Sequence, residues 1–224
     1  MANKLTVTGD ISASGTVYGT LDQVASGSVN TGTGTANTWA GCCAAKGIQA
    51  GATFNTAFGY HALSGLTTGD YNTALGAQSL CCNTTGNRNT ASGYRSAYSN
   101  TTGQYNSVFG YSALHNNTTG AANTAMGYAA MYYNTTSSYN TAYGNAALQD
   151  NTTGTCNTSI GVLALADNTT GCLNVAVGPQ AGRLTTTGKN NVFIGPYAGC
   201  CNTTSSYNTA VGRMAMCGTT SGGI

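Results

Sequence analysis

Asp150 and Asp167 lie 17 residues apart. In a chain that repeats at that interval, the two carboxylates would stand about 5 Å apart, near the separation that retaining glycosidases use. The same place in other repeats holds Cys, Ser or Asn, as a solvated corner would, and this weighs against catalysis. His61 and His115 fall at different places in the repeat, without an acidic or thiol partner in register. No Ser/His/Asp arrangement can be assembled from them. The residues therefore assign no catalytic group, no metal ligand and no cofactor site.

Nine cysteines, at 42, 43, 81, 82, 156, 172, 200, 201 and 217, show neither zinc-ligand spacing nor a C-x-x-C pair. Cys200 with Cys217, and Cys156 with Cys172 on a near diagonal, are the candidate disulfide partners, because they would stack on successive repeats. Cys42/Cys43 and Cys81/Cys82 have no stacked partner in their own chain and could join neighbouring chains in an oxidising setting. Small apolar filling of a corner is the alternative for all of them.

Seven Asn-Thr-Thr triplets, starting at Asn83, Asn100, Asn117, Asn134, Asn151, Asn168 and Asn202, are glycosylation sequons, as are those at Asn116 and Asn157. Stacked at about 4.8 Å they would be too close for each to carry a branched glycan. A structural Asn column is the favoured reading, and sparse glycosylation the alternative.

What must position these residues is a repeat. Asn recurs every 17 residues at Asn55, Asn72, Asn89, Asn106, Asn123, Asn140, Asn157, Asn174, Asn191 and Asn208, with Asn37 one residue out of phase. With that Asn as position 1, position 5 is Gly, position 8 is Ala or Ser, position 9 is mostly Leu or Met, and positions 12 to 15 read NTTG or NTTS in seven copies. There is no 3.6-residue apolar stripe. Short strands, β-branched Thr and Val, and Gly and Asn corners predict an all-β chain.

A unit this small cannot bury a core alone, so it must stack. We expect a parallel β-solenoid (β-roll or β-helix) of about eleven 17-residue coils, a rod on the order of 50 Å long. Residues 37–224 would form the solenoid, 20–36 a degenerate first coil, and 1–19 an N-terminal strand segment. The column of position 1 Asn should bond side chain to side chain as a ladder. The position 4 column, Phe58, Leu75, Phe109, Met126, Tyr143, Ile160, Val177, Ile194 and Val211, with Ser92 as the exception, is the expected core. Positions 3 and 4 are both apolar, as are 8 and 9, although neighbouring strand residues face opposite ways. One face then needs cover, which predicts a homo-oligomer with long parallel interfaces.

Only 5% of residues are charged, none is Glu, and 32 are Gly, so Asn, Thr, Ser and backbone must wet the surface. A net charge of +2 provides no electrostatic footprint for nucleic acid. The apolar runs fall far short of the roughly 20 residues a bilayer span needs, so no membrane insertion is expected. The N-terminus shows no apolar stretch of signal-peptide type; export by another route, as on lysis, or a leader outside this sequence is expected.

The phrase NTAxGxxALxxNTTGxx resembles the repeat regions of bacteriophage tail fibres and, more loosely, the β-roll heads of trimeric autotransporter adhesins. The resemblance covers about residues 37 to 224. It implies a rigid homotrimeric shaft or adhesive head, extracellular or on a virion surface. The leading expectation is thus a structural fibre subunit that polymerises head to tail, with residues 4 to 18 adding as a strand to the next subunit. A receptor- or glycan-binding adhesin using Tyr71, Tyr105, Tyr139 and Tyr207, all at position 17, is the alternative. A fibre-borne polysaccharide hydrolase, or an ice-binding protein using the Thr columns at positions 13 and 14, ranks third.

Overall fold

The computed structural model describes residues 36–49 and 51–218. The expected joint over 1–19, and nearly all of the degenerate coil over 20–36, lie outside the described residues. The described residues form eleven three-residue strands, from β1 (Thr38–Ala40) and β2 (Thr56–Phe58) to β10 (Val192–Ile194) and β11 (Thr209–Val211). They pair in parallel, in sequence order, in one sheet. Each strand occupies positions 2 to 4 of its coil. Thr56 lies opposite Thr73 and Phe58 opposite Leu75, an offset of 17. Between β1 and β2, Thr38 lies opposite Thr56, an offset of 18 that accounts for the phase of Asn37.

Glycine ends every strand. The position 5 residues from Gly41 to Gly212 have φ between 116° and 140°, a region closed to other residues. Space forbids a side chain there as well: a Cβ on Gly59 would meet the Gly76 carbonyl carbon at 2.6 Å. Two tight turns follow, closed by N–H of position 8 to C=O of position 5 and by N–H of position 12 to C=O of position 9. In the Asn72 coil these are Ser79 to Gly76 at 3.3 Å and Asn83 to Leu80 at 3.1 Å.

Positions 7, 9 and 17 are left-handed although mostly not glycine, as in Gln78 (φ 58°), Leu80 (48°) and Arg88 (55°). Each such residue costs roughly 1–2 kcal/mol. Hydrogen bonds between coils offset that cost. Gln78 N–H donates to Tyr60 C=O at 2.7 Å and Arg88 N–H to Asp70 C=O at 2.9 Å in the preceding coil, while Leu80 N–H donates to Ser96 C=O at 3.0 Å in the following one.

The core is not where the apolar pattern placed it. Position 3 points inward, so Ala57, Ala74, Val108, Ala142 and Phe193 are buried, whereas position 4 faces out: Phe58 is 43% exposed, Tyr143 58% and Val211 65%. Met126 likewise lies on the outer face and is half-buried. Strand alternation holds, and the narrow interior admits Ala at position 3 because Leu or Met enters it from position 9. Positions 8 and 9 are both buried, as in Ala62 and Leu63. They lie in a turn with a left-handed residue, where alternation does not apply.

Volume is conserved between columns. Where position 3 is Phe193, position 9 is Gly both in the same coil (Gly199) and in the preceding one (Gly182). A Cβ on Gly182 would meet Phe193 Cδ2 at 2.6 Å, and one on Gly199 would overlap the same ring. Close packing makes such large-for-small exchange necessary.

Three polar ladders run along the rod. At position 1, each Asn from Asn55 to Asn208 donates its backbone N–H to the Oδ1 of the preceding Asn at 2.8–3.0 Å. From Asn55 to Asn191 its Nδ2 also reaches the position 15 carbonyl of its own coil, as from Asn72 to Gly86 at 2.9 Å. At position 12, Nδ2 of Asn100, Asn117, Asn134, Asn151 and Asn168 donates to the preceding Asn Oδ1 at 2.7–3.1 Å. At position 13, Thr Oγ1 donates to the carbonyl of the next coil's Thr or equivalent, as from Thr101 to Thr118 at 2.9 Å. Buried amides are costly unless paired, and here stacking identical residues pairs them.

Candidate functional site

Asp150 and Asp167 are neighbours, as their common register requires. Burial first, and then the charge of Asp167, hold the Asp150 carboxyl above its ordinary value. Neither residue lines the two grooves described below. Like charges in one column are what a repeat produces when a corner residue recurs. His115 is held in a ring stack, with Nδ1 2.9 Å from Asn116 Oδ1.

The amides of the sequon residues Asn83, Asn100, Asn117, Asn134, Asn151, Asn168 and Asn202 are buried. Through Asn168 each Nδ2 donates within the coil, as from Asn117 to Gly120 C=O at 2.9 Å. The folded coil presents none of these side chains to a glycan. The Thr at position 13 is half-buried with its hydroxyl bonded, so one Thr column, at position 14 (Thr85, Thr102, Thr119), stands exposed.

All nine cysteines are free thiols. Cys200 and Cys217 meet as their spacing predicts, and Cys201 joins them, so that the three Sγ atoms lie within 4.8 Å of one another. Burial, followed by hydrogen bonds with Cys217 and Cys201, pushes the Cys200 thiol up to about 12. Cys156 is exposed and Cys172 half-buried, at positions 17 and 16 of successive coils. Pairwise spacing missed the third thiol because Cys201 is out of phase by one residue.

Position 17 is not a continuous aromatic stripe. Tyr71 and Tyr105 are two coils apart with Arg88 between them, its guanidinium 5.4 Å from each ring centroid. Tyr139 and Tyr207 stand alone and exposed in the same column. Continuous stacks occur instead at position 6, Tyr94, Tyr111 and Tyr128 (centroids 5.3 Å apart), and at position 10, Tyr98, His115 and Tyr132 (5.1 and 4.9 Å). Their 17-residue intervals were legible in the chain. Small residues at position 7, Ser112 and Ala129, leave a trough of about 320 Å³ between the stacks, with Arg95, Tyr133 and Gln149 also lining it. Gln78 Oε1 holds Arg95 Nε at 2.7 Å, and Tyr94 and Tyr98 flank its guanidinium at 5.1 and 5.5 Å.

Among the described residues, a further apolar surface is the position 4 column. Phe58, Leu75, Phe109, Tyr143, Ile160, Ile194 and Val211 are all exposed along the outer face of the sheet. Beside it the position 5 glycines form a groove, which at its centre is about 440 Å³ and is lined by Phe109, Gly110, Met126, Gly127, Tyr143 and Gly144. No helix of the described residues is long and apolar enough to cross a membrane. Compared with protein-family models, curated proteins and solved structures, the chain finds no match.

Proposed function

We propose that this chain is a structural subunit of an extracellular or virion fibre, a rigid rod that associates side by side with copies of itself and joins further copies end to end. One observation carries the reading: on the outside of the sheet the position 4 column is apolar from Phe58 to Val211 except at Ser92. Extended apolar surface of this kind marks an interaction face. The occupant is a second copy, because only a surface repeating at the same coil spacing can match it step for step along the rod. The column's side chains would enter the glycine groove of the neighbour. Three copies is the number that the likeness to phage fibres implies. Among the described residues β1 and β11 are the outermost strands of the sheet, each with one unpaired edge, and such edges favour strand addition.

The test is the mass in solution of the full chain and of a variant carrying Phe109→Ser, Tyr143→Ser and Ile160→Ser. These side chains point outward, so the coil is expected to fold while association falls by at least tenfold in affinity. A variant that assembles like the parent would refute the interface.

A second reading, glycan binding, is favoured by the trough between the two ring stacks. Tyr hydroxyls, the oriented Arg95 guanidinium and Gln149 suit a polar sugar, and an acidic one best. Binding on a glycan array that Tyr132→Ala and Arg95→Gln abolish, and that Tyr139→Ala leaves intact, would support it over the fibre role alone. No binding would dismiss it.

A further inference from the structure

We infer that Cys200, Cys201 and Cys217 form a three-thiolate site for a soft monovalent cation of the Cu(I) class. The fold builds the site by stacking. Cys200 and Cys217 occupy position 10 of successive coils, and Cys201 at position 11 turns its sulfur back to 3.5 Å from that of Cys200. All three Sγ atoms lie within 4.8 Å of one another. Three thiolates about 2.3 Å from a central ion in their plane would be about 4.0 Å apart, so shifts of a few tenths of an ångström to under one ångström complete the arrangement.

Thiolate ligands select Cu(I) and Zn(II) among available metals. Zinc in a structural site takes four protein ligands, and among the described residues this cluster supplies three. That count favours the trigonal ion. Binding converts Cu⁺ and three R–SH groups into a [Cu(SR)₃] centre. Three S–H bonds break, three Cu–S bonds form, three protons leave to solvent and no electron is transferred. The centre carries two negative charges. One coil earlier the same column holds Arg183, whose Nε is buried without a partner among the described residues, so a cation is in register to offset part of that charge.

The other cysteine clusters differ in number. Cys42 with Cys43, and Cys81 with Cys82, are vicinal pairs and offer two sulfurs each. The site is tested by anaerobic titration of the reduced full chain with Cu(I) against a chromogenic Cu(I) chelator, with X-ray absorption reporting the sulfur count. The wild-type chain is expected to hold one tight equivalent with three sulfur neighbours. Cys217→Ser and Cys201→Ser each lower its affinity by more than about 100-fold, the upper end of what loss of an outer-shell partner costs. In the same samples Cu(I) protects Cys200, Cys201 and Cys217 together from alkylation, as read by peptide mass, which checks the site in the unmutated chain. Serine variants that bind as tightly as wild type, a two-sulfur centre, independent alkylation of the three thiols, or a Cys200–Cys217 disulfide that persists under reductant would each overturn the assignment.

Discussion

From Asn83 to Asn168 the position 12 column is an unbroken run of six Asn, whereas over the next two coils it reads Thr185 and Asn202. The consequence appears in buried atoms. Asn168 Oδ1, Thr185 Oγ1 and Asn202 Nδ2 all lack a partner among the described residues. One substitution thus orphans its neighbours on both sides, because each amide needs the one before it and the one after. The same coils also hold a large departure in the apolar columns, Phe193 in place of Ala, and there the ring is accommodated because Gly182 and Gly199 give way to it. Apolar columns can trade volume between positions. Polar ladders cannot trade partners, which explains why position 1 holds Asn in all eleven described coils.

The contrast predicts effects in a definite order. The largest is expected from the unbroken ladder: Asn106→Ala removes the acceptor of the Asn123 N–H and two amide hydrogen bonds, to Asn89 Oδ1 and to Gly120 C=O, which keeps Asn117 Nδ2. The cost is roughly 2–5 kcal/mol, from about 1–3 kcal/mol for the orphaned N–H and about 1 kcal/mol for each lost bond. Urea melts would read it as a lowered midpoint, and a cost below that of an ordinary surface substitution would mean that the ladder does not hold the rod.

Next comes the traded volume. Gly199→Leu overpacks against Phe193 and costs about 1–3 kcal/mol. Its backbone, at φ 59°, already suits the Leu that other coils carry at position 9. The clash should therefore vanish when Phe193→Ala is added, and a double-mutant cycle in which the two changes merely add would contradict the complementarity.

The smallest effect is a gain. Thr185→Asn restores the missing rung, gives Asn168 Oδ1 a donor and Asn202 Nδ2 an acceptor, and is expected to stabilise the chain by about 1–2 kcal/mol. A lower urea midpoint would show that the break is tolerated by other means.

Much of this was legible in the chain because every residue is used at one interval. The position 1 Asn set the coil length, the offset of Asn37 marked the one longer coil, and Gly at position 5 marked the strand end. Facing was not legible. Three-residue strands are too short to display alternation when positions 3 and 4 are both apolar, and the bulkier side chains, such as Phe58 and Tyr143, suggested the core while the interior in fact accepts Ala57 and Ala142. The left-handed residues were hidden for a different reason. Gln78, Leu80 and Arg88 have no intrinsic preference for positive φ, and only the hydrogen bonds between coils, which exist after stacking, hold them there. The convergence of Cys201 with Cys200 and Cys217 follows from the same turn geometry.

The proposed association also depends on facing, since the apolar residues turned outward at position 4 are the ones it would use. Electron cryomicroscopy of the purified full chain tests this most directly. The predicted images show multi-chain rods with an axial repeat of about 4.8 Å and the position 4 columns against one another at the centre of the cross-section. Single-chain rods at every concentration, with the Phe109 and Tyr143 side chains still facing solvent, would contradict it.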